Sequence, residues 1–294
     1  KNQYPSESDR LLFHSGDLFQ AAAVENETRW SHPRFLGHVG YSEEDKERGY
    51  VTANRWKVEI PEDAPPGGHM TGFTEPVCSR RAVAVTDDYV LVLDHVAGEK
   101  EHTFDALYYF GGFRGLEGDV ELVEKREKFD DDYRSAGQFI TDCRVYQAEG
   151  TTRASFVTGY DADAYHFAAP RTDIKEDWET LTTDVYAVWP QNRKQIIGDG
   201  QKRKGMQWNP YSAGRTEGRE ASFVTLIEMQ EDKADRQVQS VDADGPDRIR
   251  VTLADGRIHQ WQVEGLDADE ARPSISLRLT EKTDDGDVRE EIAE

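Results

Sequence analysis

The sequence predicts an all-β fold: a large two-sheet antiparallel β-sandwich, supersandwich-like, closed by a C-terminal β meander. Three observations predict it. Apolar and polar residues alternate in many short runs, with turn residues between them. No window of a dozen residues carries a clean helical stripe, and the best one, 42–48, is short and charged. The 12 Phe, 12 Tyr and 6 Trp supply the large apolar faces that two stacked sheets bury between them.

The elements follow in order. Strands are expected over 18–24 and 55–60. Those over 80–85 and 89–93 are separated only by Thr86, Asp87 and Asp88, so they read as a hairpin. A Gly turn at Gly98 then precedes a third strand over 102–110, which makes Asp94, His95, His102 and Asp105 the mouth of an apolar hairpin. In that strand Tyr109 and Phe110 face opposite ways. Further strands are expected over 120–124, 137–147, 152–158, 182–189 and 221–229. Residues 190–211 read as a loop on their Gly and Pro content. From 238 onward tight turns at 242–247 and 254–257 flank strands over 248–253, 259–263 and 275–280. The final residues read as a fraying end. Residues 1–237 are therefore expected to form the main sandwich. Residues 238–294 add closing antiparallel strands to the same domain, a size that one β domain reaches.

Composition narrows the partners. The 36 basic and 58 acidic residues give a net charge of −22, which repels nucleic acid and anionic membranes. No apolar run is long enough to span a bilayer as a helix. Residues 1–9 do not form a signal peptide and no initiating Met is present, so a mature or excised fragment is expected. Two cysteines, Cys78 and Cys143, leave one bridge or two free thiols open. There is no Gly-x-Ser-x-Gly elbow, phosphate loop or dinucleotide fingerprint.

Two segments concentrate chemistry. Trp30, His32, Arg34, His38 and Tyr41 fall within twelve residues broken by Pro and Gly. The densest basic cluster of this acidic chain holds Arg193, Lys194, Lys202 and Arg203, with Trp208 and Tyr211 after them. Guanidinium groups bind carboxylate or sulfate bidentately, lysines act as point charges, and aromatic faces stack on sugars.

Several blocks, in order, resemble the sandwich domain of heparinase II/III-like polysaccharide lyases. They are the opening pair around Gly16 and Gln20, the hairpin from Arg81 to Asp94, the strand ending in Trp189 and Pro190, the strand from Phe223 to Glu228, and the terminal meander. The resemblance implies β-elimination on a uronate-containing acidic polysaccharide, in a secreted or periplasmic setting. It also implies an upstream (α/α) toroid that carries further catalytic groups. On this reading Arg34 neutralises the uronate carboxylate and His38 or Tyr41 moves the proton. Trp30, His32, Arg193, Lys194, Lys202, Arg203 and Trp208 hold the sugar chain. The resemblance further implies a divalent metal, zinc or calcium, with Asp94, His102 and His69 as ligands and Cys78 as an alternative to His69. This sequence departs from the family where Cys78 and Tyr109 stand in place of expected histidines. A non-catalytic carbohydrate-binding or scaffolding sandwich is the alternative function.

Overall fold

The structure is a computed structural model that describes residues 8–28, 76–129, 137, 140–158, 181–200, 210–231 and 235–294. The described chain is essentially all-β, in two antiparallel sheets. The larger sheet contains β1 (Ser8–Ser15), β2 (Gln20–Thr28), β3 (Val77–Val85), β4 (Val90–Tyr109), β5 (Phe113–Lys128), β6 (Thr141–Thr158), β7 (Leu181–Trp189), β8 (Arg193–Asp199) and β9 (Pro210–Glu231). Its order is β1-β2-β3-β4-β9-β7-β6-β5, with β8 also lying between β6 and β9. The smaller sheet is a meander of β10 (Val238–Gly245), β11 (Arg248–Leu253), β12 (Ile258–Glu264), β13 (Ser276–Lys282) and β14 (Val288–Ala293).

Period-two patterning explains the stacking. In β4 Leu91 and Leu93 point inward, and in β12 His259, Trp261 and Val263 do. Together with Phe19, Leu226, Leu253, Leu277 and Leu279 they form the core between the two sheets. Each such side chain contributes roughly 1.5–3 kcal/mol on full burial. Strands β1–β9 thus build one layer, and β10–β14 supply the other. The end of the chain is not frayed: β14 pairs with β13, and Ala293 is buried. Glu291 also accepts hydrogen bonds from the amides of Asp17 and Leu18 and pairs with His14 Nε2 at 2.6 Å, fastening β14 to the opposite sheet.

The expected hairpin of β3 and β4 is present. Val85 pairs with Val90, and Thr86 Oγ1 accepts from the amides of Asp88 and Tyr89. The expected turn at Gly98 is absent. β4 continues through it, and residues 102–110 prolong the strand instead of folding back. Ala97 pairs with Glu220 and His102 with Gly218, so β4 carries three extra residues there as a bulge. The loop expected over 190–211 is also partly strand. β7 and β8 both run antiparallel to β6 and β9, so they form one long strand interrupted at 190–192.

These interruptions lie at one level of the sheet and crease it. The bulge of β4 adjoins Gly218 of β9. The register of β5 on β6 slips between Glu117 and Asp119, where Gly118 (φ 121°) opposes a stretch of β6 that holds Gly150 (φ 70°). A Cβ on Gly118 would come within 2.8 Å of the Thr151 carbonyl oxygen. Arg144 and Phe156 would stand roughly 40 Å apart on a straight strand. Yet the Arg144 guanidinium lies 5.3 Å from the Phe113 ring centroid and the Phe156 ring 5.6 Å. The far half of the sheet therefore folds back over its other face. Tyr108, Phe110, Phe113, Phe156, Val185 and Ile197 fill that second core.

Arg193 closes the crease. It is buried, and its Nη1 donates to the carbonyls of Gly150 (2.9 Å) and Pro190 (2.8 Å). Nη2 donates to Thr152 Oγ1 (2.5 Å) and the Ala187 carbonyl (2.8 Å), and Nε to Gln195 Oε1 (3.3 Å). These acceptors flank the broken ladder, where no neighbouring strand can serve them. Burial lowers the guanidinium to about 10, which leaves it a cation at neutral pH.

Candidate functional site

A cleft of about 570 Å³ opens at one end of the sandwich. Its floor continues the core-facing side of β2, β3, β4 and β9 past the last apolar row. Glu25, Arg80, His95 and Ser222 form one row of cross-strand neighbours, and Glu27, Cys78, Ala97 and Glu220 form the next. The opposite wall is the segment 267–271, between β12 and β13 of the smaller sheet.

Arg80 builds this wall. It is buried, and Nη1 donates to the carbonyls of Leu266 (3.1 Å) and Ala268 (2.5 Å), and Nη2 to that of Glu270 (2.6 Å). Its Nε pairs with Glu25 Oε2 at 2.7 Å. Burial acts to raise the Glu25 carboxyl, but Arg80 and the amide of Arg272 outweigh it and hold the group below the usual carboxylate range. This ion pair is internally satisfied, and Glu27, Glu99, Glu220, Asp267, Asp269 and Glu270 also line the cleft, which makes its lining acidic.

His95 is 5% exposed and lines the cleft. Its Nδ1 bonds Ser222 Oγ at 2.9 Å. Burial and the nearby Arg80 lower its pKa, against Asp267, Glu220 and Asp269. The ring is therefore neutral at neutral pH. Cys78 points its thiol at Glu25 Oε2, 3.7 Å away, and burial raises its pKa. Both cysteines are free, with Cys143 buried on β6. Neither is a poised thiolate.

Of the expected site residues, Arg193, Lys194, Asp94 and His102 are among the described residues. Trp30, His32, Arg34, His38, Tyr41 and His69 lie outside the described residues, as do Lys202, Arg203 and Trp208. In the chain, 29–75 falls between Thr28 and Val77, which pair with each other, and 201–209 between Asp199 and Pro210, which also pair. Arg193 was expected to hold acidic groups of a ligand, but its donors all serve the crease. Lys194, next along β8, is exposed on the other face, so the two cations cannot grip one group together. Tyr109 is 61% exposed, whereas Tyr108 is carried into the crease, where burial pushes its hydroxyl up to about 12.

The expected metal ligands do not converge either. Both oxygens of Asp94 accept from Arg81, at 2.6 and 2.9 Å, in a bidentate pair across the β3–β4 ladder. Asp94 pairs with Phe223 and His102 with Gly218, five residues apart on β9, which is roughly 17 Å. A zinc ion needs its ligand atoms about 2 Å away. Asp94 and His102 therefore do not fit one ion, and a guanidinium stands where the resemblance implies the metal charge. Asp105 is held by Arg215 in a second bidentate pair.

The cleft was legible in one respect. His95 and Ala97 continue the inward parity of Leu91 and Leu93, so an imidazole takes a position the pattern reserves for a core side chain. The wall over 267–271 had no comparable signal, because its place depends on how the two sheets stack. No known protein family matches this chain, and no curated protein matches it.

Proposed function

We propose that this chain is the β-sandwich half of a heparinase II/III-like polysaccharide lyase acting on a uronate-containing acidic polysaccharide. One observation supports the reading. The blocks that carry the resemblance occupy connected places in a single sandwich. The Arg81-to-Asp94 hairpin is central and Arg81 pairs with Asp94. The strand ending at Trp189 lies beside the strand from Phe223 to Glu228. The terminal meander forms the facing layer.

In this reading Arg34 neutralises the uronate carboxylate, which acidifies the adjacent C–H. His38 or Tyr41 takes that proton or delivers one to the leaving oxygen. Trp30, His32, Lys202, Arg203 and Trp208 hold neighbouring sugars, joined by the exposed Lys194. The acidic cleft is not the uronate site, since like charges repel. An upstream toroid supplies the remaining groups, and the protein works outside the cytoplasm.

A second reading, a non-catalytic carbohydrate-binding or scaffolding sandwich, is favoured by the internal engagement of Arg193 and Asp94. One experiment separates them. The full chain is incubated with ulvan, alginate and glycosaminoglycans, alone and with a toroid-bearing fragment. A lyase produces an unsaturated uronate that absorbs in the ultraviolet, and Arg34→Ala and His38→Ala lose it. Retardation in a polysaccharide gel without product supports the binding module. Neither product nor retardation refutes both.

A further inference from the structure

We infer that the outer face of the smaller sheet is a binding surface for an extended acidic polysaccharide chain. The occupant rests on the substrate class proposed above, while the surface is separate from the residues assigned there. His259, Trp261 and Glu281 are buried against the core, so their neighbours along β12 and β13 point to the opposite face. Cross-strand pairing sets those neighbours in rows. Arg248 of β11, Gln262 of β12 and Arg278 of β13 form one row, and Arg250, Gln260 and Thr280 the next. Thr252, Ile258 and Lys282 form the third. These rows carry four cations and no carboxylate, in a chain of net charge −22.

The polar groups of this face are available to a ligand. Arg248, Arg250, Gln260, Gln262 and Lys282 are exposed. Among the described residues, the side chains of Arg250, Gln260, Gln262 and Lys282 have no hydrogen-bond or ion-pair partner. Arg248 meets Asp247 only at 3.7 Å and Arg278 meets Glu290 only at 3.5 Å, both in solvent, where such pairs are worth little. The nearest carboxylates of the sheet, Asp242 and Glu290, stand on its edge strands β10 and β14.

The arrangement selects the class of polyanion. A cationic column on β11 and another on β13 flank a column of amides on β12, and the two cationic columns are two inter-strand steps apart, roughly 10 Å. A 1,4-linked pyranose chain laid along β12 fits between them and turns the carboxylates of successive residues to opposite sides. The guanidinium groups bind those carboxylates bidentately. The Gln260 and Gln262 amides both donate and accept, which matches sugar hydroxyls. Duplex nucleic acid fits less well. It carries a charge about every 1.7 Å of axis, so the carboxylates on the edge strands repel it more strongly. The three rows also hold no aromatic ring on which a base could stack.

The test is affinity electrophoresis of the full chain through gels of graded alginate content, with neutral dextran as the control. Alginate should retard the parent chain and dextran should not. An Arg248→Gln, Arg250→Gln, Arg278→Gln variant, its fold checked by its melting curve, should bind alginate about tenfold more weakly, the loss of three exposed charge contacts. An Asp242→Asn, Glu290→Gln variant should bind more tightly, a gain that a weakened fold would not produce. No retardation of the parent, equal retardation of the triple variant, or equal affinity for a DNA duplex would overturn the assignment. The two readings fail separately. Unsaturated product together with undiminished binding in the triple variant removes this surface alone, and weakened binding without any product removes the lyase alone.

Discussion

Replacing Arg193 with Met tests its role in closing the crease. The side chain donates five hydrogen bonds, three of them to the carbonyls of Gly150, Ala187 and Pro190 at the crease. Met keeps much of the volume and removes every donor. An acceptor left buried without a partner costs about 1–3 kcal/mol. Water can reach some of the four backbone and hydroxyl acceptors, so a loss on the order of 3–5 kcal/mol is expected, in line with removing one side of a buried charged contact. With a urea slope of about 3 kcal/mol per molar, the unfolding midpoint should fall by roughly 1–1.5 M at unchanged slope. Retention in an acidic-polysaccharide gel, measured well below the midpoint, should be that of the parent chain. An unchanged midpoint together with lost retention would refute the reasoning, because Arg193 would then serve the ligand and not the crease.

Two further outcomes are expected. The Tyr89 hydroxyl accepts from Trp261 Nε1 and bonds His259 Nδ1, each at 2.8 Å, while His259 Nε2 lies 3.0 Å from Glu281. The Trp N–H can only donate, so the hydroxyl donates onward to His259 Nδ1, and His259 Nε2–H donates to Glu281. Tyr89→Phe strands two buried groups and should cost roughly 2–5 kcal/mol in urea unfolding. A loss below about 0.5 kcal/mol would show that the chain of bonds is not a structural unit. His95 and His259 both have pKa values lowered first by burial. An unfolded histidine titrates near about 6.5, so below that pH the unfolded chain takes up protons that the folded chain refuses. Their contribution is fully present above that pH and lost as pH falls through the depressed folded values. The urea midpoint should therefore drop between about pH 7.5 and 5.5, and the drop should shrink in a His95→Asn, His259→Asn variant. A midpoint that rises on acidification would contradict the sign.

The buried carboxylates divide by partner. Glu281 is hydrogen-bonded by Arg289, His259 and Arg257, which outweigh burial and lower its pKa. Glu228 instead serves the amides of Gln237 and Val238, and burial raises it. Glu228 anchors the crossing from β9 to β10, so the Glu that ends a resemblance block has a structural task in this chain.

The sequence by itself determined the fold class and most strand positions, because inward and outward alternation is a local property written residue by residue. The hairpin at Thr86, β11 at Arg248–Leu253, and the core parity of Leu91, Leu93 and Trp261 were all legible that way. Tertiary structure alone decided what Gly98 and Arg193 do. A glycine in a polar run is compatible with a turn or a bulge, and the choice at Gly98 was made by β9 pairing on both sides of it. A guanidinium is compatible with a ligand or with backbone carbonyls. The choice at Arg193 was made by a crease that brings Gly150 of β6 beside Ala187 and Pro190 at the end of β7. The acidic cleft has the same origin. Its floor lies on four strands and its wall on the other sheet, and only the stacking of those layers puts Glu27, His95 and Asp267 around one space.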